Sequence, residues 1–228
     1  MDDVWQQSLN WQPNSEQQFQ FQRLYEQIIA GNKLLNLTRI TEPLEFWEKH
    51  LWDSLRPIVP LLEQRQAGEI GLKIVDIGTG AGFPGIPIAI ASPNSQVTLL
   101  DSTRKKVAFL DTLVSQLGLQ NVDTAVGRAE VIGKQPQYQQ AYDLAAIRAV
   151  SSASVCAEYA LPFLKPGGLA ILYRGNWTTE EAEALQSTLK KVAGALDKVE
   201  AFSTPLTNST RHCLYIRKVA AKKNSTNY

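Results

Sequence analysis

Asp76-Ile77-Gly78-Thr79-Gly80-Ala81-Gly82-Phe83-Pro84-Gly85 is the stretch that decides how this chain folds. Before it, Lys73 to Ile77 is short and largely apolar and predicts a buried strand; after it, a helix is predicted over about Gly85 to Ala91. A strand that passes through clustered glycines into a helix marks the carboxyl edge of an open α/β sheet, where such sheets bind ligands. Glycines serve there because they allow a sharp turn and let a ligand approach the main chain with no Cβ in the way. Gly80 to Gly85 also spells G-x-G-x-x-G, a dinucleotide signature that is weak on its own.

Outward from this turn, strands and helices alternate. Strands are predicted over Gln96 to Leu100, Val122 to Val126, Tyr142 to Ile147 and Leu169 to Tyr173. Between them, helices are predicted over Lys105 to Leu117, stopped at Gly118, and over Ser154 to Leu164, ended by Lys165-Pro166-Gly167-Gly168. A further helix over Thr178 to Leu196 leads to a closing antiparallel hairpin of Val199 to Phe202 with His212 to Val219. This alternation predicts a mostly parallel sheet covered on both faces, over residues 67–220. Residues 1–66 read as a helical region. Asn14 or Ser15 caps a helix that ends near Ala30 at Gly31, and Thr41 with Pro43 opens another through about Leu55. Gln64 to Gly71 reads as a polar connection and residues 221–228 as a frayed tail.

Composition narrows the class. The chain has 228 residues, 44% of them hydrophobic, which is ample for a core and argues against disorder. No run of about eighteen apolar residues offers a membrane span, and the acidic start Met1-Asp2-Asp3 is not a secretory signal. The lone Cys156 and Cys213 lack metal-ligand spacing, so no metal is expected; they suit a reducing cytoplasm and read as core residues. Lys and Arg number 23 against 22 Asp and Glu, so any nucleic-acid contact must come from a local patch. Arg104-Lys105-Lys106, Arg174 and Arg211, all near strand ends, are the candidates for a phosphate-binding rim.

Two acids mark the ligand site. Asp76, two residues before Gly78, suits a ligand carrying an ammonium and a sulfonium and would repel a pyrophosphate, which favours S-adenosylmethionine over a nicotinamide dinucleotide. Asp101 stands about twenty residues past the turn, where a carboxylate accepts ribose hydroxyls. Ribose recognition fits either cofactor, so Asp101, with Gly78, Gly80 and Gly82, supports the site without choosing between them. Ala129 and Glu130 follow the third strand, where an adenine ring would lie; Glu130 equally reads as an exposed acid opening a helix. Arg148, at the end of the fourth strand, faces cofactor and acceptor, and its guanidinium suits a carboxylate, a phosphate or the O6/N7 edge of a guanine.

The acceptor is narrowed by what is missing. Ala146-Ile147-Arg148-Ala149 replaces the N/D-P-P-Y/F turn of exocyclic-amine methyltransferases, and neither cysteine has the Pro-Cys or Thr-Cys setting of a pyrimidine carbon-five enzyme. A guanine N7 has a free lone pair and needs no general base, only placement in line with the methyl group. His50 and Asp53, one turn apart, either line an RNA cleft with Asn36 or form an ordinary hydrogen-bonded pair.

The motifs Asn36-Leu37-Thr38, His50-Leu51-Trp52-Asp53-Ser54-Leu55, Asp76 through Pro87, Leu99-Leu100-Asp101-Ser102, Arg148-Ala149 and Arg211-His212 occur in order over roughly residues 20 to 219. In them the chain resembles the ribosomal RNA small subunit methyltransferase G family, also called glucose-inhibited division protein B. The resemblance implies a class I methyltransferase fold, Rossmann-like, with a mostly parallel seven-stranded sheet. It implies transfer of a methyl group from S-adenosylmethionine to N7 of guanine 527 of 16S ribosomal RNA, within the small subunit or an assembly intermediate. Cofactor contacts implied are Gly78, Phe83, Asp101, Ser102, Thr103, Ala129, Glu130 and Arg148, with Asn36, His50, Arg174 and Arg211 on the substrate side. The chain departs from the family pattern at Val150-Ser151-Ser152, at Arg174 where Lys is frequent, and at Thr210 where Glu is common. A small-molecule methyltransferase of the same fold is the alternative.

Overall fold

A computed structural model describes residues 2–63 and 71–219; the connection expected over 64–70 and the tail expected over 221–228 lie outside the described residues. Seven strands are present among them: β1 (Lys73–Ile77), β2 (Gln96–Asp101), β3 (Val122–Val126), β4 (Tyr142–Arg148), β5 (Leu164–Arg174), β6 (Gly194–Ser203) and β7 (Thr210–Lys218). They form one sheet in the order β3-β2-β1-β4-β5-β7-β6, parallel through β5 and antiparallel around β7. This is the mostly parallel seven-stranded sheet expected. The chain leaves β1 toward one edge and returns at β4 to build toward the other, so β1 and β4 flank the switch point, where a crevice opens beyond the strand ends.

The helices among the described residues are α1 (Asp2–Leu9), α2 (Ser15–Leu35), α3 (Pro43–Phe46), a π-helical segment (Trp47–Trp52), α4 (Asp53–Leu55) and α5 (Val59–Glu63), then α6 (Gly85–Ala91), α7 (Arg104–Leu117), α8 (Ala129–Ile132), α9 (Ala153–Ala160) and α10 (Thr179–Lys191). Strand residues alternate between two apolar layers. Ile74, Leu144, Ala146 and Tyr173 face the amino-terminal helices with α6 and α7, while Val75, Ile77, Ala145 and Ile147 face α8, α9 and α10. By the same alternation Asp76 and Arg148 face the amino-terminal helices, and this fixes what they meet.

Several boundaries differ from the sequence expectation. Asn14 does cap α2, in a capping box with Gln17, but the helix runs through Gly31 to Leu35. A Cβ on Gly31 would lie 2.3 Å from Phe109 Cε2, so this glycine serves the close approach of α2 to α7; Asn36, left-handed at φ 48°, ends the helix. Glu42, not Thr41, precedes Pro43, and the helix beginning there passes into the π-segment before reaching Leu55. Helix α1 is not among the expected helices; it is amphipathic, with Trp5 and Leu9 buried one turn apart, and tertiary packing holds it, with Trp5 against Trp47 (4.9 Å) and Phe21 (6.0 Å). Helix α9 gives way to a 3-10 turn, Leu161–Phe163, and β5 starts at Leu164 because Lys165 to Gly168 bulge within the strand instead of ending a helix. Helix α10 stops at Lys191, and Ala193 (φ 52°) turns the chain into β6 at Gly194, whose absent Cβ leaves room for Leu161.

Candidate active site

Beyond β1 the backbone turns through Gly78, Gly80 and Gly82, with φ of 71°, 61° and 98°. These are left-handed values that strain any side-chain-bearing residue. At Gly82 a Cβ would also lie 2.5 Å from Ile86 Cδ1. The turn hangs from β2, since the amides of Gly78 and Thr79 both donate to the Leu100 carbonyl, at 2.8 and 3.0 Å. Asp76 lies beneath it with no exposed surface. Its Oδ2 accepts from Thr79 Oγ1 (2.6 Å) and the Gly85 amide (2.7 Å), while Oδ1 is buried without a partner. Burial pushes this carboxyl up to about 6, against the lowering effect of those hydrogen bonds and of Arg148. Asp76 therefore shapes the turn with one oxygen and leaves one anionic oxygen for which a cation would be the natural counterpart.

Asp101, at the end of β2, is nearly buried. Its Oδ2 accepts from the Gly80 amide (3.0 Å) and its Oδ1 from the Thr103 amide (2.8 Å), so the second acid is tied to the glycine turn itself. Gly78, Asp101, Ser102, Ala129 and Glu130 line one crevice together with Val150 and Tyr159. Val150 belongs to the loop after β4. Its Cγ2 stands 2.5 Å from where a Cβ on Gly78 would be, and Ala149 before it is left-handed at φ 56°. Gly78, the acid at the end of β2 and the residues after β3 thus meet in one small crevice of about 80 Å³ at the switch point, with Val150 and Tyr159 in its wall.

Arg148 ends β4 on the face of the amino-terminal helices, and those helices hold it. Nη1 donates to the Lys49 carbonyl (2.8 Å) and to Asp53 Oδ2 (3.1 Å), while Nη2 lies 3.4 Å from His50 Nδ1. The π-segment makes this possible, because the Asp53 amide bonds to Glu48 O and the Lys49 carbonyl turns toward the guanidinium. His50 Nε2 meets Thr38 Oγ1 (2.9 Å), its ring stacks on Phe83 at 4.3 Å and 8°, and Arg148 lies over the same Phe83 ring at 5.7 Å. Burial, then the charges of Arg148 and Lys49, push His50 down to about 3, so it stays neutral. With one ring nitrogen facing an arginine and the other a threonine, it is fully engaged.

Beside Arg148 opens a cleft of about 530 Å³, lined among others by Asp53, Arg174, Arg211 and His212. Arg174 donates to the Ser151 carbonyl (2.7 Å) and pairs with Glu181, and its Nε is buried without a partner. Arg211 donates to the Thr210 carbonyl (3.1 Å), and His212 Nδ1 meets the Gly175 carbonyl (2.7 Å). The hairpin carrying Arg211 is anchored by Glu48, which has no exposed surface: its Oε1 accepts from the Thr207 amide (3.0 Å) and its Oε2 from Thr207 Oγ1 (2.6 Å). Of the substrate-side candidates, Arg174 and Arg211 share this cleft with Arg148. His50 stands behind Arg148, and Asn36 sits at the end of α2, outside the lining. Sequence inspection missed Thr38, Glu48 and the Lys49 carbonyl, whose roles depend on partners distant in the chain. His50 and Asp53, expected either to line a cleft or to bond each other, are not joined by a hydrogen bond; each contacts Arg148 instead, and Asp53 lines the cleft.

Other chemistries find no support in the geometry. Cys156 and Cys213 are buried, and burial pushes both thiols up, away from nucleophilic thiolate character. Among the described residues no cluster of His, Cys, Asp and Glu could hold a metal, and no helix is long and apolar enough to cross a membrane.

Comparison with known proteins agrees with this geometry. The family profile described as rRNA small subunit methyltransferase G matches residues 17–214. A ribosomal RNA small subunit methyltransferase G from Nostoc punctiforme is 60% identical over 220 residues, covering 96% of this chain and 90% of that protein. The protein of the same name from Trichormus variabilis is 58% identical with the same coverage. Among solved structures, a SAM dependent methyltransferase from Aquifex aeolicus superposes with a TM-score of 0.56 at 16% identity, over 81% of this chain and 97% of that one, a likeness of fold.

Proposed function

The chain belongs to the rRNA small subunit methyltransferase G family, and on that premise we propose that it methylates N7 of guanine 527 of 16S ribosomal RNA, in the cytoplasm, on the small ribosomal subunit or an assembly intermediate. Its cofactor is S-adenosylmethionine, which when bound supplies an electrophilic methyl group on a positively charged sulfur. The observation that carries the reading is the position of Arg148, between the glycine turn and an arginine-lined cleft.

The residues present fit that cofactor. Asp76 has an anionic oxygen with no partner, and of the three left-handed glycines Gly80 leaves the main chain open to close approach, a Cβ there meeting nothing nearer than the Gly78 carbonyl at 3.9 Å. In this reading Asp101, with Ser102 and Thr103, takes the ribose hydroxyls, Ala129 and Glu130 border the adenine, and Phe83 and Arg148 close the methionine end. On the other side Arg174 and Arg211 offer cationic contacts to phosphate, His50 fixes Arg148, and Asn36 with Thr38 extends the surface along the end of α2. His50 is not free to remove a proton, because it is neutral with both ring nitrogens engaged. That suits an acceptor whose lone pair is already free: the chain has only to orient the base, exclude water and hold the ring in line.

The direct test is mass spectrometry of 16S ribosomal RNA from cells with and without the gene. Loss of a single 7-methylguanosine at the expected position, restored by the purified enzyme with S-adenosylmethionine, is the expected result. An unchanged nucleoside profile together with turnover of a free metabolite would replace this reading with a small-molecule methyltransferase.

A further inference from the structure

We propose that Asp53 is the residue that tells guanine from other purines, by accepting a hydrogen bond from guanine N1–H while Arg148 beside it donates to O6. The proposal rests on the guanine-N7 reading above and assigns the recognition step within it. Asp53 lies in the cleft wall next to Arg148, with its Oδ2 3.1 Å from Arg148 Nη1. Among the described residues no donor reaches its other oxygen, Oδ1, which is not sealed from the cleft. Arg148 in turn keeps donor capacity, since its Nη2 makes only the long 3.4 Å contact with His50. A donor and an acceptor therefore stand side by side, held by the π-segment.

Guanine presents the complementary pair on adjacent atoms, with O6 accepting and N1–H donating. Adenine presents the reverse, an amine where O6 would be and a bare N1, and would set like against like at both positions. The same pairing assists the chemistry. As the carbon–sulfur bond breaks and the N7–carbon bond forms, positive charge passes from sulfur into the purine ring. N1–H then becomes a stronger donor, so its bond to the Asp53 carboxylate is worth more in the transition state than in the bound substrate.

A cycle between enzyme and substrate tests this. RNA carrying either guanine or 2-aminopurine at the target position is bound to the wild-type enzyme and to Asp53→Asn; 2-aminopurine lacks O6 and has a bare N1. The wild type is expected to prefer guanine by about tenfold or more in Kd. Asp53→Asn is expected to keep only the preference that Arg148 draws from O6, at least about threefold below that of the wild type, because a carboxamide can turn its N–H toward the bare N1. Asp53→Ser, read the same way, covers the case in which the asparagine variant fails to bind S-adenosylhomocysteine. Equal discrimination by wild type and variants would overturn the assignment. The wild-type product is mapped first. If its methyl group is not on guanine N7, the underlying reading falls and takes this proposal with it; if it is, equal discrimination removes Asp53 alone.

Discussion

The two halves of the proposed site are built differently. The cofactor half is made of main chain: three left-handed glycines, amides donating to Asp76 and Asp101, and a turn suspended from Leu100. The acceptor half is made of side chains from remote segments. Arg148 meets Lys49 across 99 positions and Asp53 across 95, and Glu48 reaches Thr207 across 159. A backbone-built site is fixed as soon as its local turn forms, whereas a side-chain-built one exists only when several elements have docked. A single polar substitution in the first should cost only the contacts of that residue, whereas one in the second should loosen partners far apart in the chain.

Arg148→Ala probes the seam between the halves and should have the largest effect. Methyl transfer is expected to fall by about 100-fold or more, while affinity for S-adenosylhomocysteine falls by less than about tenfold. A large loss of affinity by calorimetry would move Arg148 into the cofactor half. Asp101→Ala should do the opposite. It removes the acceptor proposed for ribose, so cofactor affinity should drop by roughly 10- to 100-fold, the worth of charge-assisted hydrogen bonds. RNA binding measured by filter retention should hold; parallel losses would show that the halves are not separable.

The last effect is on stability and is confined to acid pH. His50 is held near 3 in the folded chain against 6.5 in the unfolded one, so the unfolded state binds a proton that the folded state does not. Its contribution to stability is whole above about pH 6.5 and is lost as pH falls toward 3, at up to about 1.4 kcal/mol per pH unit. Denaturant titrations of wild type and His50→Gln across that window should diverge only below about 6.5. Parallel curves would mean that His50 is not buried against Arg148 in solution.

The same contrast explains what could be read before the structure. The glycine turn, both acids and the strand alternation from Lys73 onward were legible because each is a contiguous pattern whose geometry follows from adjacent residues. The arrangement around Arg148 was not, because nothing local in Glu48 or Lys49 says that a π-turn will direct one toward a hairpin and the other's carbonyl toward β4. Gly31 was misread for a related reason: its meaning lies in Phe109, 78 positions on (109 − 31). Leu196 was placed in a helix because half-exposed β6 shows no clear alternation on its own and becomes a strand only by pairing with β7.

Strand order carries one more consequence, for synthesis. Because β7 lies between β5 and β6, β5 lacks its second neighbour and β6 has none until residues 210–218 have been made. A nascent chain can complete the glycine turn early, yet Arg211 and the hairpin held by Glu48 arrive last. During translation the cleft wall that carries Arg211 is therefore the last part of the molecule to be finished.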